Sequence, residues 1–426
     1  MNVVVIGSGG REHALAYKIS ESPILSNLYI IPGNPGTAKC GTNINLSIND
    51  FTSIGIFCKN KEIDFAVVGS EAPLVAGLSD YLRDKGIKVF GPSSSAARIE
   101  SEKSFAKKIM VENGIPTAQY REFTSNKYVE AKKYLQETTY PCVLKADGLA
   151  AGKGVLICEK IKTALKGLNE LFLQKKYGSA GDKIIIEEFL TGEESSIFAI
   201  TDGENFICLP SSQDHKRIGE NDTGLNTGGM GAYSPAPVVT DEILEEIKTK
   251  IIRPVLAVMR ESGNKFVGCL YAGLMITNEG PKAIEFNCRF GDPETQAVLP
   301  LLNGDFLKLL YSAANGNLDK EAVTYNGGCS ICVVASSKGY PEEYKKGFEI
   351  KGLNNITDPS IIVYHAGIKQ DGGKIITNGG RVLGVTAFSL NKNYQSVKSI
   401  VYQNLSKISF EGMYYRRDIA HRVLKK

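Results

Sequence analysis

No apolar run in the sequence approaches the length of a membrane span, so no segment reads as a transmembrane helix. Charge of one sign is not in excess either, with 50 Lys and Arg against 46 Asp and Glu and a formal balance of +4. That excludes the broad basic surface of a nucleic-acid binder, while leaving room for a local basic site that takes a small anion. Internal repeats and low-complexity segments are missing, which excludes solenoid and disordered architectures. Cysteine is sparse and unframed: nine residues are scattered through 426. Cys329 and Cys332 form the sole C-x-x-C, within Cys329–Ala335, a stretch that reads as a buried strand. A redox pair would want a helix N-terminus, and a zinc site a second pair, so these are read as core thiols. A secretory leader also finds no room before the strand-like Asn2–Ile6, so the expected location is the cytoplasm.

What is present begins with length. A chain of 426 residues is too long for one ordinary core and is expected to form two to four domains. The first hundred residues alternate short β-branched strands (Val3–Ile6, Leu28–Ile31, Phe65–Gly69, Lys88–Phe90) with helical stretches such as Arg11–Ser20. That pattern predicts an open parallel sheet covered on both faces. From Glu102 a helix runs to Asn113 and stops at Gly114, with Pro116 beyond, as helix ends require. A smaller module follows: strands Cys142–Lys145 and Val155–Cys158, a helix Thr163–Gln174, and a strand Lys183–Phe189. Strands Ser196–Ile200, Phe206–Leu209, Leu270–Ile276 and Lys282–Cys288 come next, the last two joined by the turn Asn278–Pro281. After Asn326 a mostly-strand pattern restarts with Ser330–Ala335, Ile361–His365 and Val382–Phe388.

Several segments carry chemistry. Gly7-Ser8-Gly9-Gly10-Arg11-Glu12 opens a helix and suits a phosphate-binding turn. It lacks the third glycine of a dinucleotide fingerprint, and no acidic residue follows Ile31 to hold a ribose hydroxyl. This opposes a nicotinamide-dependent dehydrogenase. Glu71 lies just past another strand's carboxyl end, the edge where open α/β sheets bind ligands. The loop after Lys145 carries Gly148, Gly152 and Gly154; it is no Walker A loop, but its backbone donors and Lys145 suit phosphate oxygens. Glu187 and Glu188, then Glu193 and Glu194, flank an apolar hinge fit for adenine and ribose. In Ala283–Arg289, alternation sets Glu285 and Asn287 on one face of a strand, as two oxygen ligands for Mg²⁺. Arg289 continues that face and can grip a carboxylate or phosphate with its fork. Gln213–Arg217 is dense in charge, and Asn226-Thr227-Gly228-Gly229 in flexible backbone donors; loops of this length tend to be functional.

Taken in order, these segments resemble the phosphoribosylamine–glycine ligase family of ATP-grasp enzymes. The stretches that carry the likeness are Gly9–Leu15, Lys145–Gly154, Ser212–Arg217, Thr227–Pro237, Glu285–Gln296 and Asn378–Leu383, and it extends to Tyr415–Asp418. The resemblance implies four parts: a phosphoribosylamine-binding domain over 1–100, a central ATP-grasp body over 101–122 and 190–325, a lid over 123–189, and a C-terminal domain over 326–426. It implies ATP and Mg²⁺ (or Mn²⁺), with glycine and 5-phosphoribosylamine as substrates and neither nucleic acid nor membrane as partner. It leaves open a transient hand-over of the amine from the enzyme that makes it. By that resemblance Lys103 and Lys145 hold phosphates, Glu188 and Leu190 frame adenine, Glu194 or Glu193 takes the ribose, and Glu187 belongs to the same nucleotide site. Glu285 and Asn287 hold the metal. Asp214, Lys216 and Arg289 meet glycine and the transferring phosphoryl, aided by Asn226–Gly229, and Gly9, Gly10, Arg11 and Glu71 take phosphoribosylamine. A related ribonucleotide carboxylase or formate-using transformylase is disfavoured by Ser212–Gly231, which matches the glycine-using family. A nucleotide-binding module without catalysis is disfavoured by the intact metal pair with Arg289. Two departures stand out: Leu225 and Ser70 occupy positions where the family usually has proline, which enlarges the conformations open to those loops.

Overall fold

The computed structural model describes residues 1–148 and 154–424. Four larger sheets, beside three two-stranded ribbons, organise the described residues. The first is parallel and five-stranded, ordered Thr42–Asn43, Asn27–Pro32, Asn2–Gly7, Phe65–Val68, Lys88–Phe90. Its central strand is covered on both faces, with Val3, Val4, Val5 and Ile6 fully buried, which is why it reads as an unbroken apolar run. Gly7 turns the chain at φ +136° into the helix Gly10–Ser20. Its Cβ would strike Glu12 at 2.3 Å, so only glycine fits there.

The second sheet is four-stranded and antiparallel, ordered Tyr120–Thr124, Lys183–Glu188, Cys142–Ala146, Val155–Cys158. Helices Tyr128–Glu137 and Ile161–Phe172 cover one face, packing Ala131, Leu135, Ala164 and Leu168 onto Leu144, Ile184 and Ile186. The third, also antiparallel, runs Phe206–Cys208, Glu193–Thr201, Gly268–Thr277, Gly280–Asn287. Its last hairpin closes through Asn278-Glu279, with Gly280 at φ +108°. The acidic pair Glu193-Glu194 opens a strand rather than lying in the loop before one, because both residues pair with the neighbouring strand at Ile276 and Met275.

The fourth sheet belongs mostly to the C-terminal part but recruits two earlier strands. Its order is Gln213–Asp214, Gly231–Ser234, Cys329–Ser337, Arg381–Ser389, Ile361–His365, with Met413–Tyr414 pairing at the side. The charged loop and the Thr-Gly-Gly loop therefore hang from this sheet, not from the one carrying Glu285. A helix the sequence pattern did not single out, Tyr394–Leu405, covers it with Val397, Val401 and Leu405. Cys329 and Cys332 lie buried in its central strand. Among the described residues no helix is long and apolar enough to cross a membrane.

Candidate active site

The third sheet supplies a chemical face. Its register sets Ser196 opposite Gly273, which faces Glu285, and sets Phe198 opposite Tyr271, which faces Asn287. With the pleat alternating, Glu194, Ser196, Tyr271, Glu285 and Asn287 share one side, and Glu193 falls on the other. A Cβ on Gly273 would stand 3.1 Å from Glu285 Cγ, so the missing side chain keeps this face open around the carboxylate. Ser196 and Tyr271 hydroxyls lie 2.7 Å apart, and Tyr271 donates to Glu294 at 2.9 Å.

Lysines approach the face from two directions. From the second sheet Lys145 Nζ donates to the Ile284 carbonyl at 3.2 Å and pairs with Glu187 at 2.8 Å. Lys107, four residues beyond Lys103 on the helix Lys103–Glu112, meets the other Glu187 oxygen at 3.3 Å. Both lysines and Glu187 are almost fully buried. Burial pulls the Lys107 ammonium down to about 8, against the upward pull of Glu187. Lys103 donates to the Gly148 carbonyl at 3.3 Å; burial lowers its affinity for a proton while Glu285 opposes the shift. Asp147 ties this edge to the helix, accepting from Ser104 N–H and hydroxyl at 2.6 and 2.9 Å.

From the fourth sheet comes Lys216, whose Nζ lies 2.6 Å from Glu194. Burial alone would lower Lys216, but Asp214 and Glu194 hold it well above the usual lysine range. Glu194 is held below the carboxylate range chiefly by Lys216. Glu285 is held below it too: burial would raise it, and Lys216, Lys145 and Lys103 prevail. Asp214 goes the other way. Burial, reinforced by Glu294 and Glu194, outweighs Lys216 and lifts its carboxyl to about 7. One face thus holds carboxylates kept ionised by surrounding lysines beside one carboxyl poised near neutrality, a pattern typical of reacting sites.

Other expected residues fall around this face. Glu188 points outward, its carboxylate accepting Gln119 N–H at 3.0 Å, and Leu190 follows in the link to Glu193. Thr227 returns its N–H and hydroxyl to the Lys216 carbonyl at 2.7 and 2.8 Å. Gly228 N–H donates to Tyr340, and Arg381 grips the Gly228 carbonyl at 2.6 Å. Gly229, at φ +111°, donates to Thr227, and Asn226 ends the strand opposite Arg217. Gly148 and Gly154 border the stretch 149–153; Gly152 lies in that stretch, outside the described residues. Leu225 is half exposed on the strand Thr223–Asn226, and the Ser70 hydroxyl is buried with no hydrogen-bond partner among the described residues.

Arg289 sits beyond the end of its strand and turns toward the N-terminal sheet. Nε meets Glu71 at 3.2 Å and Nη2 meets Glu100 at 2.9 Å. Burial would raise Glu71, but Arg289 and Arg11 bring it down to about 2. Arg11 also pairs with Glu12 at 2.6 Å, and Glu12 accepts the Gly9 N–H at 2.7 Å. The turn Gly9-Gly10 thus carries an internal carboxylate at its first donor. Close by, a cavity of about 530 Å³ opens between Ser8, Asn34 and Asn43 and the C-terminal Lys369 and Asn378.

Sequence reasoning did not single out Lys107, Tyr271, Glu294, Glu100 or Arg381. Lys107 carried a usable signal, one helical turn from Lys103. The others act through contacts between segments far apart in the chain, which no local pattern announces.

Comparisons with known proteins cover nearly the whole chain. Family models described as the N domain, the ATP-grasp (A) domain and the C domain of phosphoribosylglycinamide synthetase match residues 1–100, 101–295 and 330–422. A phosphoribosylamine–glycine ligase of Caldanaerobacter subterraneus is 46% identical over 99% of this chain and 99% of its own. The enzyme of that name from Haemophilus influenzae is 45% identical over 100% of this chain and 99% of its own. A crystal structure of phosphoribosylamine–glycine ligase from Thermotoga maritima superposes with a TM-score of 0.84 at 32% identity, covering 98% and 100% of the two chains. The chain belongs to the phosphoribosylamine–glycine ligase family of ATP-grasp ligases.

Proposed function

We propose that this protein joins glycine to 5-phosphoribosylamine at the expense of ATP, giving glycinamide ribonucleotide, ADP and phosphate in purine biosynthesis. The observation that carries the reading is the face bearing Glu194, Glu285 and Asn287, with Lys103 and Lys145 on one side and Asp214 and Lys216 on the other. A carboxylate is a poor electrophile and must be activated before an amine can attack it. A glycine carboxylate oxygen attacks the γ-phosphorus of ATP, ADP leaves, and glycyl phosphate forms. The phosphoribosylamine nitrogen then attacks the acyl carbon, phosphate leaves with that glycine oxygen, and the nitrogen sheds a proton. No residue needs to become a nucleophile; orientation and charge neutralisation supply the rate.

In this reading Lys103 and Lys145 neutralise the nucleotide phosphates, beside Gly148 and Gly154. Glu187, Glu188 and Leu190 border adenine, and Glu194 or Glu193 the ribose. Glu285 and Asn287 fit a Mg²⁺ or Mn²⁺ ion: both offer hard oxygen donors on one open face, and Glu285 is ionised. When bound, such an ion neutralises phosphate charge and aligns the γ-phosphoryl. Asp214, Lys216 and the Asn226–Gly229 turn receive glycine. Gly9, Gly10, Arg11 and Glu71 aim the amine; Arg289, expected at the glycine and the transferring phosphoryl, is instead engaged by Glu71 and Glu100 and braces this group from behind, and the cavity beside Ser8 gives the phosphoribosyl part room. Because water would hydrolyse the intermediate, the second sheet serves as the lid. The division into parts 1–100, 101–122 with 190–325, 123–189 and 326–426, a cytoplasmic location, and hand-over of the labile amine from the enzyme producing it complete the proposal. Sustained ADP release over many turnovers should require glycine and phosphoribosylamine together, and formate or bicarbonate should not replace glycine. Turnover with either substitute would refute the reading.

A further inference from the structure

The segment Tyr414–Arg422 runs along the loop that carries Asp214 and Lys216 and grips it at successive residues. Arg422 Nη1 donates to the Asp214 carbonyl at 3.3 Å and Nη2 to Asp222 at 2.8 Å. Arg416, completely buried, donates to the Arg217 carbonyl at 3.0 Å and to Asp222 at 2.9 Å. Ala420 N–H donates to His215 Nε2 at 3.0 Å, and Asp418 accepts the Asn221 N–H at 2.8 Å. His215 is fully buried, and burial holds its ring down to about 4. Its ring is therefore neutral near pH 7, and with Nε2 accepting, the ring proton resides on Nδ1, facing Asp222 at 3.6 Å.

These contacts fix the carbonyl of Asp214, the ring of His215 and the carbonyl of Arg217. On the opposite side, Thr227 fixes the carbonyl of Lys216 at 2.7 Å. Every residue from 214 to 217 is thus held from outside its own strand, and this leaves the Asp214 carboxyl and Lys216 ammonium a narrow range of positions. His215, Asp222 and His421 place ligand-type atoms within 4.8 Å of one another, which invites a metal. However, both Asp222 oxygens already receive guanidinium N–H groups, from Arg416 and Arg422, and a cation there would meet two fixed positive charges.

We infer that Tyr414–Arg422 is a latch that positions the Asp214–Lys216 segment for glycine, with Arg422 as its positioning residue. The inference rests on the function proposed above. The latch couples the C-terminal segment chiefly to one substrate: its contacts run to 214–222, and the phosphate end of the nucleotide site, built on Lys103, Lys145 and Glu187, is held by contacts of its own.

The test uses the full-length protein and two variants, Arg422→Met and Arg422→Lys. Arg422→Met should lower kcat/KM for glycine about tenfold, as loss of a charge-assisted two-point contact does, with KM for ATP changing less than about twofold. Arg422→Lys keeps the charge but not the fork and should recover part of the loss. If Arg422→Met does not fold, Arg422→Lys carries the test by the same split. Glycine and ATP parameters falling in parallel, or neither moving, would overturn the latch. Wild-type protein that releases no ADP with glycine and phosphoribosylamine would instead refute the proposed function. In that event amide exchange decides the latch: the variants should exchange faster over 214–226 but not over 268–287, and unchanged exchange over 214–226 overturns it.

Discussion

Arg289 Nε stands 3.2 Å from Glu71 Oε2 while its Nη2 stands 2.9 Å from Glu100, so one guanidinium fork binds the edge of the N-terminal sheet to the strand end that follows the proposed metal ligands. Two carboxylates opposite a rigid fork cannot both be served by a lysine. Arg289→Lys should therefore cost about 1–3 kcal/mol of stability. Product formation at limiting phosphoribosylamine should fall by about tenfold or more. Denaturant unfolding and a phosphoribosylamine titration check the two effects; a variant unchanged in both would mean that the fork positions nothing.

Glu187 is the sole carboxylate between the buried ammoniums of Lys107 and Lys145, at 3.3 and 2.8 Å, among the described residues. Glu187→Gln keeps the shape and removes the charge, leaving two buried cations without a counterion. A loss of about 3 kcal/mol is expected, along with weaker ATP binding because Lys145 is no longer held. Calorimetric titration with ATP and thermal unfolding report on these separately.

Asp214 makes stability depend on pH. The unfolded chain releases this proton near 3.8, whereas the folded protein holds it to about 7. The native state thus binds more protons across that interval, and stability from this group falls as pH rises through it. The loss is on the order of 4 kcal/mol once pH exceeds 7. Asp214→Asn should abolish this component, flattening stability measured from pH 4 to 7 relative to wild type. An equally steep wild-type and variant profile would show that Asp214 titrates normally.

The metal assignment rests on Glu285, which three lysines keep ionised. Glu285→Gln should raise the concentration of Mg²⁺ or Mn²⁺ needed for half-maximal turnover and lower kcat together, with the fold unchanged by circular dichroism. If cation dependence is the same as in wild type, Glu285 is no ligand.

Local pattern carried much of this architecture. Apolar β-branched runs marked Val3–Ile6 and Ile361–His365, and period-two alternation placed Glu285 and Asn287 together, because each depends only on neighbours in sequence. Glu193 and Glu194 were legible as acids but not as strand residues, since their conformation comes from pairing with Ile276 and Met275, more than eighty residues away. The same holds for Arg289: its type announced a carboxylate partner, but Glu71 and Glu100 are brought to it by the fold. Attachment of Gln213–Asp214 to the C-terminal sheet through Gly231–Ser234 is likewise long-range. Charge and periodicity name the reagents; non-local pairing decides which of them meet.

The order of bond-making is tested most directly by isotope transfer. Glycine labelled with ¹⁸O in its carboxylate is turned over with ATP, Mg²⁺ and phosphoribosylamine, and the released phosphate is analysed by mass. Activation through glycyl phosphate requires one labelled oxygen to leave with each phosphate formed. Unlabelled phosphate accompanying glycinamide ribonucleotide would contradict the mechanism.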